Sequence, residues 1–245
     1  MYKFFCNFYS NLITFYENKF LKIKYTKSNL EKNGYSFYTK ENEQVEKIIG
    51  NYYEIIEKKY QSLYLYNKKE LEKIIKIVFS ESFRKYITDQ TGFNYSIDFF
   101  TAYKNMNISG TDIELGWYGN NYHFDKPYSK NMLKVMVPTE NLGNAEGPLE
   151  LLDKGNSDLL VNKKKYINKK IRLTGKIGDK CLFLPNVCLH KALIPEEKKS
   201  ANLLMFQLNP SKNWTYNSKI FDKQVYREPK FPFVSYFFDK RLSII

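Results

Sequence analysis

"YHFDKPYSKNMLKVMVPTENLGNAEGPLELLDKG", residues 122–155, is the stretch on which the fold assignment turns. Its apolar runs, 131–138 and 148–152, are short and separated by Asn, Gly and Pro, the pattern of strands joined by turns. Working outward, similar runs occur at 94–103 and 112–118 before it, and at 169–175, 180–184 and 201–208 after it. This spacing predicts an antiparallel sandwich or barrel instead of repeated strand–helix units. The N-terminal third differs. Val45, Ile48, Ile49, Tyr52, Tyr53 and Ile56 recur at three- and four-residue intervals in 43–60, and Leu71, Ile74, Ile75, Val78 and Tyr86 do so in 68–87. That period predicts helices. One domain, 1–245, is expected: a helical flank over 1–90, a β core over 91–210, and a C-terminal extension over 211–245 packed on the core. The fold class is therefore mainly β with a helical flank.

Hydrophobic residues make up 43% and charged residues 27% of the 245, a globular balance that argues against disorder. The formal charge of +13 predicts attraction to anionic partners. Twenty-one tyrosines and nineteen phenylalanines offer stacking platforms for bases, yet Lys, Asn, Tyr and Ile are all raised together, as codon bias also produces. No basic recognition helix is evident, so nucleic acid is not the expected partner. Cys6, Cys181 and Cys188 have neither CxxC nor other zinc spacing, and reduced thiols in a cytoplasmic setting are expected. The opening "MYKFFCNFYSNLITFYENKFLKIK" lacks the core and cleavage site of a secretory signal, and polar residues interrupt it too often for a membrane span. Its aromatic and basic mixture leaves peripheral contact at a membrane surface open. P-loop, GxGxxG, GxSxG and HExxH motifs are absent.

The chain has two histidines, His123 in "YHFD" and His190 in "NVCLHKA". In a strand, residues i and i+2 point the same way, so His123 and Asp125 can face one interior. With His190 from a facing strand, the three side chains can occupy one face of an octahedral Fe(II) and leave positions for a bidentate cosubstrate and dioxygen. Zinc accepts the same ligands.

The combination of 122–155 with "GDKCLFLPNVCLHKA", 178–192, resembles the iron(II)- and 2-oxoglutarate-dependent dioxygenases, most closely the phytanoyl-CoA dioxygenase-like group. The resemblance covers roughly residues 90–210. It implies a double-stranded β-helix (a cupin-like jelly roll), with His123, Asp125 and His190 as catalytic iron ligands. It also implies oxidative decarboxylation of 2-oxoglutarate to succinate, coupled to hydroxylation. Asp125 favours hydroxylation over halogenation, and desaturation or ring formation can use the same ligands.

The family normally places an arginine shortly after the distal histidine to hold the far carboxylate of 2-oxoglutarate. This chain has "PEEKKSANLLMFQL" there, with Lys198 or Lys199 to supply charge and Ser200 a hydroxyl; strand parity favours Lys198. Lys134, inside the apolar "NMLKVMV", is a second candidate. Trp117 and Tyr122 are candidates to line the substrate pocket, Gly147 and Pro148 to shape a turn, and Cys188 to be a packed neutral thiol. The charge favours an anionic small-molecule or lipid- or sugar-linked substrate. Two other functions remain open from the residues alone: metal-dependent hydrolysis at the same triad, and a non-enzymatic jelly-roll protein binding an anionic glycan or lipid.

Overall fold

The computed structural model describes residues 2–39, 52–58, 60–108, 121–125, 128–163, 169–222, 224 and 241–244. Helix α1 (Tyr2–Phe20) and the short α2 (Asn29–Asn33) lead into β1 (Tyr35–Tyr38), and β2 (Tyr53–Lys58) and β3 (Gln61–Leu65) form a hairpin. Next come α3 (Lys68–Val78), α4 (Glu81–Thr91) and the long strand β4 (Asn94–Met106). After it come β5 (Leu133–Pro138), β6 (Leu149–Leu151), α5 (Lys154–Lys163), β7 (Ile171–Arg172) and β8 (Lys180–Phe183). β9 (His190–Ala192), β10 (Ser200–Ser211), β11 (Thr215–Asn217) and β12 (Arg241–Ser243) complete the order.

Two sheets result. The large one runs β1-β8-β5-β10-β4-β11-β12, with β3 also on β4 and β2 on β3; the small one runs β7-β6-β9. The architecture is mixed α/β, a large sheet with flanking helices, and the described strands do not close into a barrel. Alternation along the strands divides the core. Leu133, Val135, Val137, Leu204, Phe206 and Leu208 face the helices, where they meet Leu71, Ile74, Ile75, Val78, Phe83 and Ile87 of α3 and α4. Met136, Cys181, Phe183, Ala201, Leu203 and Met205 face the other way and pack with Leu151 and Leu173 from the small-sheet side.

The strands expected near 94–103, 131–138, 148–152, 169–175, 180–184 and 201–208 are present as β4 to β8 and β10, with shifted ends, whereas 112–118 lies outside the described residues. The helix expected over 43–60 is not formed in its described part. Tyr53–Lys58 is a strand, with Tyr53 opposite Leu65 and Ile55 opposite Leu63. "YEII" is rich in aromatic and β-branched residues, and pairing with β3 overrides a helical period that this spacing also satisfies. The second periodic segment is two helices, broken at Phe79 and Ser80. The N-terminal flank is accordingly not purely helical, because β1 pairs with β8 and β3 with β4. No helix among the described residues is long and apolar enough to cross a membrane.

Candidate active site

Backbone pairing brings the two histidines together. His123 N–H donates to His190 O at 3.1 Å and His190 N–H to His123 O at 3.2 Å, a reciprocal antiparallel bridge that extends the small sheet beyond β9. Asp125 N–H donates to Pro185 O at 3.2 Å, tying the aspartate to the turn that precedes His190. That turn is fixed from behind: Leu189 N–H donates to the buried Ser157 hydroxyl at 2.9 Å, and Cys188 packs so closely on Gly34 that a Cβ there would lie 2.3 Å from its Sγ. Cys188 is buried with its thiol pushed up to about 12 by burial, which keeps it neutral as expected.

His123, Asp125 and His190 each present a ligand atom, and these atoms lie within 4.8 Å of one another. Asp125 Oδ1 is 3.7 Å from His123 Nε2 and 3.5 Å from His190 Nε2, and the two rings are 4.5 Å apart. Each Nδ1 is held by a backbone carbonyl, His123 by Asn121 O at 2.7 Å and His190 by Cys188 O at 3.1 Å. A carbonyl only accepts, so in each neutral ring the proton is on Nδ1 and the Nε2 lone pair points at the carboxylate. Three acceptors therefore converge with no donor between them, which suits a divalent cation bound by two imidazoles and a carboxylate.

Lys134 sets the local charge. Its Nζ is 2.5 Å from Asp125 Oδ2, with both side chains at most 5% exposed. Burial alone would raise the Asp125 carboxyl, but the Lys134 ammonium, the largest opposing influence, outweighs it and holds the group below the ordinary carboxylate range. The ammonium lies directly beside Oδ2, so the two groups form a buried ion pair. Burial, with the neighbouring His190, lowers His123, which favours the neutral ligand form.

The remaining candidates divide. Lys134 lies at the triad. Lys198 and Lys199 precede β10, so strand parity does not apply to them: Lys198 is an exposed turn residue with φ of 63°, and Lys199 is exposed and pairs with Glu146 at 3.3 Å. Ser200 begins β10, seven residues before the Gln207 that pairs with Lys134, or roughly 23 Å along a strand. Tyr122 does not follow the pocket-lining expectation, since its neighbour His123 takes the inner side and adjacent residues of an extended segment point oppositely. Its hydroxyl donates to Glu150 Oε1 at 2.7 Å. Glu150 is 2% exposed and collects Lys170, Arg172 and Lys191 as well. Trp117 lies outside the described residues. Gly147, at φ of 73°, packs against Leu193 and Pro195 as a turn residue. Gln207 lies beside Lys134 on the same sheet, and Thr101 lies on the next strand, one row along on the same face; Gln207 carries the same sequence signal as Lys134, a polar residue inside an apolar run, "NLLMFQL".

No known protein family matches the chain, and no curated protein does. Solved structures do. The chain is similar to the non-heme alpha ketoglutarate dependent epimerase SnoN from nogalamycin biosynthesis, with a TM-score of 0.54 and 10% identity over 74% of this chain and 79% of that one. It is similar to HygX from Streptomyces hygroscopicus, solved with nickel and 2-oxoglutarate, with a TM-score of 0.51 and 10% identity over 74% and 85%. It is also similar to EctD from S. alaskensis, solved with 2-oxoglutarate and 5-hydroxyectoine, with a TM-score of 0.51 and 14% identity over 82% and 83%. At these identities the likeness is one of fold.

Proposed function

We propose that this chain is an Fe(II)- and 2-oxoglutarate-dependent dioxygenase of the phytanoyl-CoA dioxygenase-like group. In this reading it hydroxylates a small or lipid- or sugar-linked anionic substrate. The observation that carries the proposal is the convergence of His123 Nε2, His190 Nε2 and Asp125 Oδ1, with both Nδ1 atoms committed to backbone carbonyls. The fold likeness to SnoN, HygX and EctD supports it. So does strand order: β4, β5, β8 and β10 belong to the large sheet, while the His123 segment, β6, β7 and β9 belong to the small side, the interleaving of a double-stranded β-helix.

His123, Asp125 and His190 would hold the iron. When bound, iron and 2-oxoglutarate supply the oxidising chemistry with dioxygen, and the protein supplies binding, orientation and exclusion of water. Asp125 Oδ1 faces the histidines while Lys134 fixes Oδ2, so the carboxylate is held in one orientation. Phe183, 5.1 Å from the His190 ring and edge-on to it, closes the apolar side of the centre. Peripheral contact with an anionic membrane surface belongs to the same reading. Helix α1 turns Phe8, Leu12 and Phe15 outward at helical spacing, 59, 52 and 63% exposed, on a chain of net charge +13.

Anaerobic Fe(II) titration followed by 2-oxoglutarate tests the reading. One iron per chain, 2-oxoglutarate binding that depends on it, and loss of both in His123→Ala are expected. A wild-type chain that binds no divalent metal would refute it.

A further inference from the structure

The inner face of the large sheet carries buried polar side chains on β5, where it passes beside the triad, and on the strands beyond it, β10 and β4. There Gln207 pairs across the ladder with Lys134 on one side and Phe99 on the other. Thr101, opposite Met205, is the next residue of β4 on the same face. Lys134, Gln207 and Thr101 are all buried, at 3, 0 and 0% exposure. Gln207 Nε2, Gln207 Oε1 and Thr101 Oγ1 have no hydrogen-bond partner among the described residues. Buried polar atoms are almost always paired, and an unpaired one is costly. Two of these groups can donate, the Gln207 amide N–H and the Thr101 hydroxyl, and with a buried ammonium on the same face they indicate a ligand with acceptor oxygens. Tyr103, further along β4, is pushed up to about 12 by burial and so stays a protonated hydroxyl.

At the start of β10, the residues facing this interior are Ala201 and Leu203, which cannot hold an anion. We propose that Lys134, Gln207 and Thr101 seat a carboxylate of the 2-oxo dicarboxylic acid, in place of a cation at the start of β10. Lys134 supplies the charge, and the Gln207 amide and Thr101 hydroxyl donate hydrogen bonds. The inference rests on the oxygenase reading above and concerns residues outside the metal-binding set.

The test is calorimetric titration of 2-oxoglutarate into the full chain loaded with Zn(II), which supports binding without turnover, alongside melting of the ligand-free protein. Gln207→Met and Thr101→Val are expected to keep one metal per chain and to melt at or above the wild-type temperature, because each replaces an unpaired buried polar group by an apolar one. In both, the 2-oxoglutarate Kd rises at least about tenfold, equivalent to about 1.4 kcal/mol. Thr101→Ser, which keeps the hydroxyl, restores the affinity. If Gln207→Met fails to fold, the comparison of Thr101→Val with Thr101→Ser decides. Wild-type affinity in the Val and Met variants overturns the seat and leaves the oxygenase reading standing. A wild-type chain that binds no metal, or metal but no 2-oxoglutarate, overturns that reading and the seat with it.

Discussion

Replacing Lys134 by methionine removes the ammonium from Asp125 while keeping the length of the side chain. The pair is desolvated on both sides, at 4 and 5% side-chain exposure, so the variant leaves a buried carboxylate without its counter-charge. Breaking such a pair from one side costs about 3–5 kcal/mol. For a chain of this size a kilocalorie corresponds to about 2–4 °C, so metal-free Lys134→Met melts about 6–20 °C below wild type at pH 7. The pH dependence follows from the direction of the shift. In the wild type the folded Asp125 carboxyl is depressed, so its contribution to stability is full above the unfolded value, which is near the ordinary 3.8, and is lost as pH falls through the folded value. In the variant the largest remaining influence is burial, which favours the protonated acid, so its deficit shrinks as pH falls toward 4. Saturating Zn(II) narrows the gap at pH 7 by restoring positive charge at the same carboxylate. Differential scanning calorimetry on chelator-treated protein between pH 4 and 8 measures all three effects. A variant within about 1 kcal/mol of wild type across that range would refute the charge balance described here.

Three further outcomes are expected. Tyr122→Phe removes a hydrogen bond to the buried Glu150 carboxylate and lowers stability by about 1.5 kcal/mol, with Zn(II) affinity unchanged; a selective loss of metal would return Tyr122 to the active site. Gly147→Ala sets a Cβ 2.5 Å from Pro195 N and 2.7 Å from Leu193 O at a positive φ, and thermal melting should register a loss above about 1 kcal/mol. The full chain should sediment with vesicles containing phosphatidylserine, and Phe8→Ser combined with Phe15→Ser should abolish this at constant melting temperature; sedimentation unchanged by the double variant would remove α1 as the contact.

The sequence alone indicated β4 to β8 and β10, because short apolar runs punctuated by Gly, Pro and Asn leave few other structures. It also singled out His123, Asp125 and His190, since a chain with two histidines offers few metal-binding combinations and the i, i+2 rule carries His123 and Asp125 to one side. Lys134 was legible as a charge inside an apolar strand. Local pattern could not decide the state of 53–58, because its spacing satisfies a helical period while its residues suit a strand, and only pairing with β3 discriminates. The same limit applied to Lys198 and Tyr122, whose side-chain direction depends on where β10 begins and which way the His123 segment faces. The grouping of Lys134, Gln207 and Thr101 was beyond local reading as well. These residues come from three strands separated in sequence, and the large-sheet register sets them on one face in neighbouring rows. Sequence specifies which groups are available, while tertiary pairing decides which buried charges and unpaired donors share one low-dielectric space, and that sharing gives the site its chemistry.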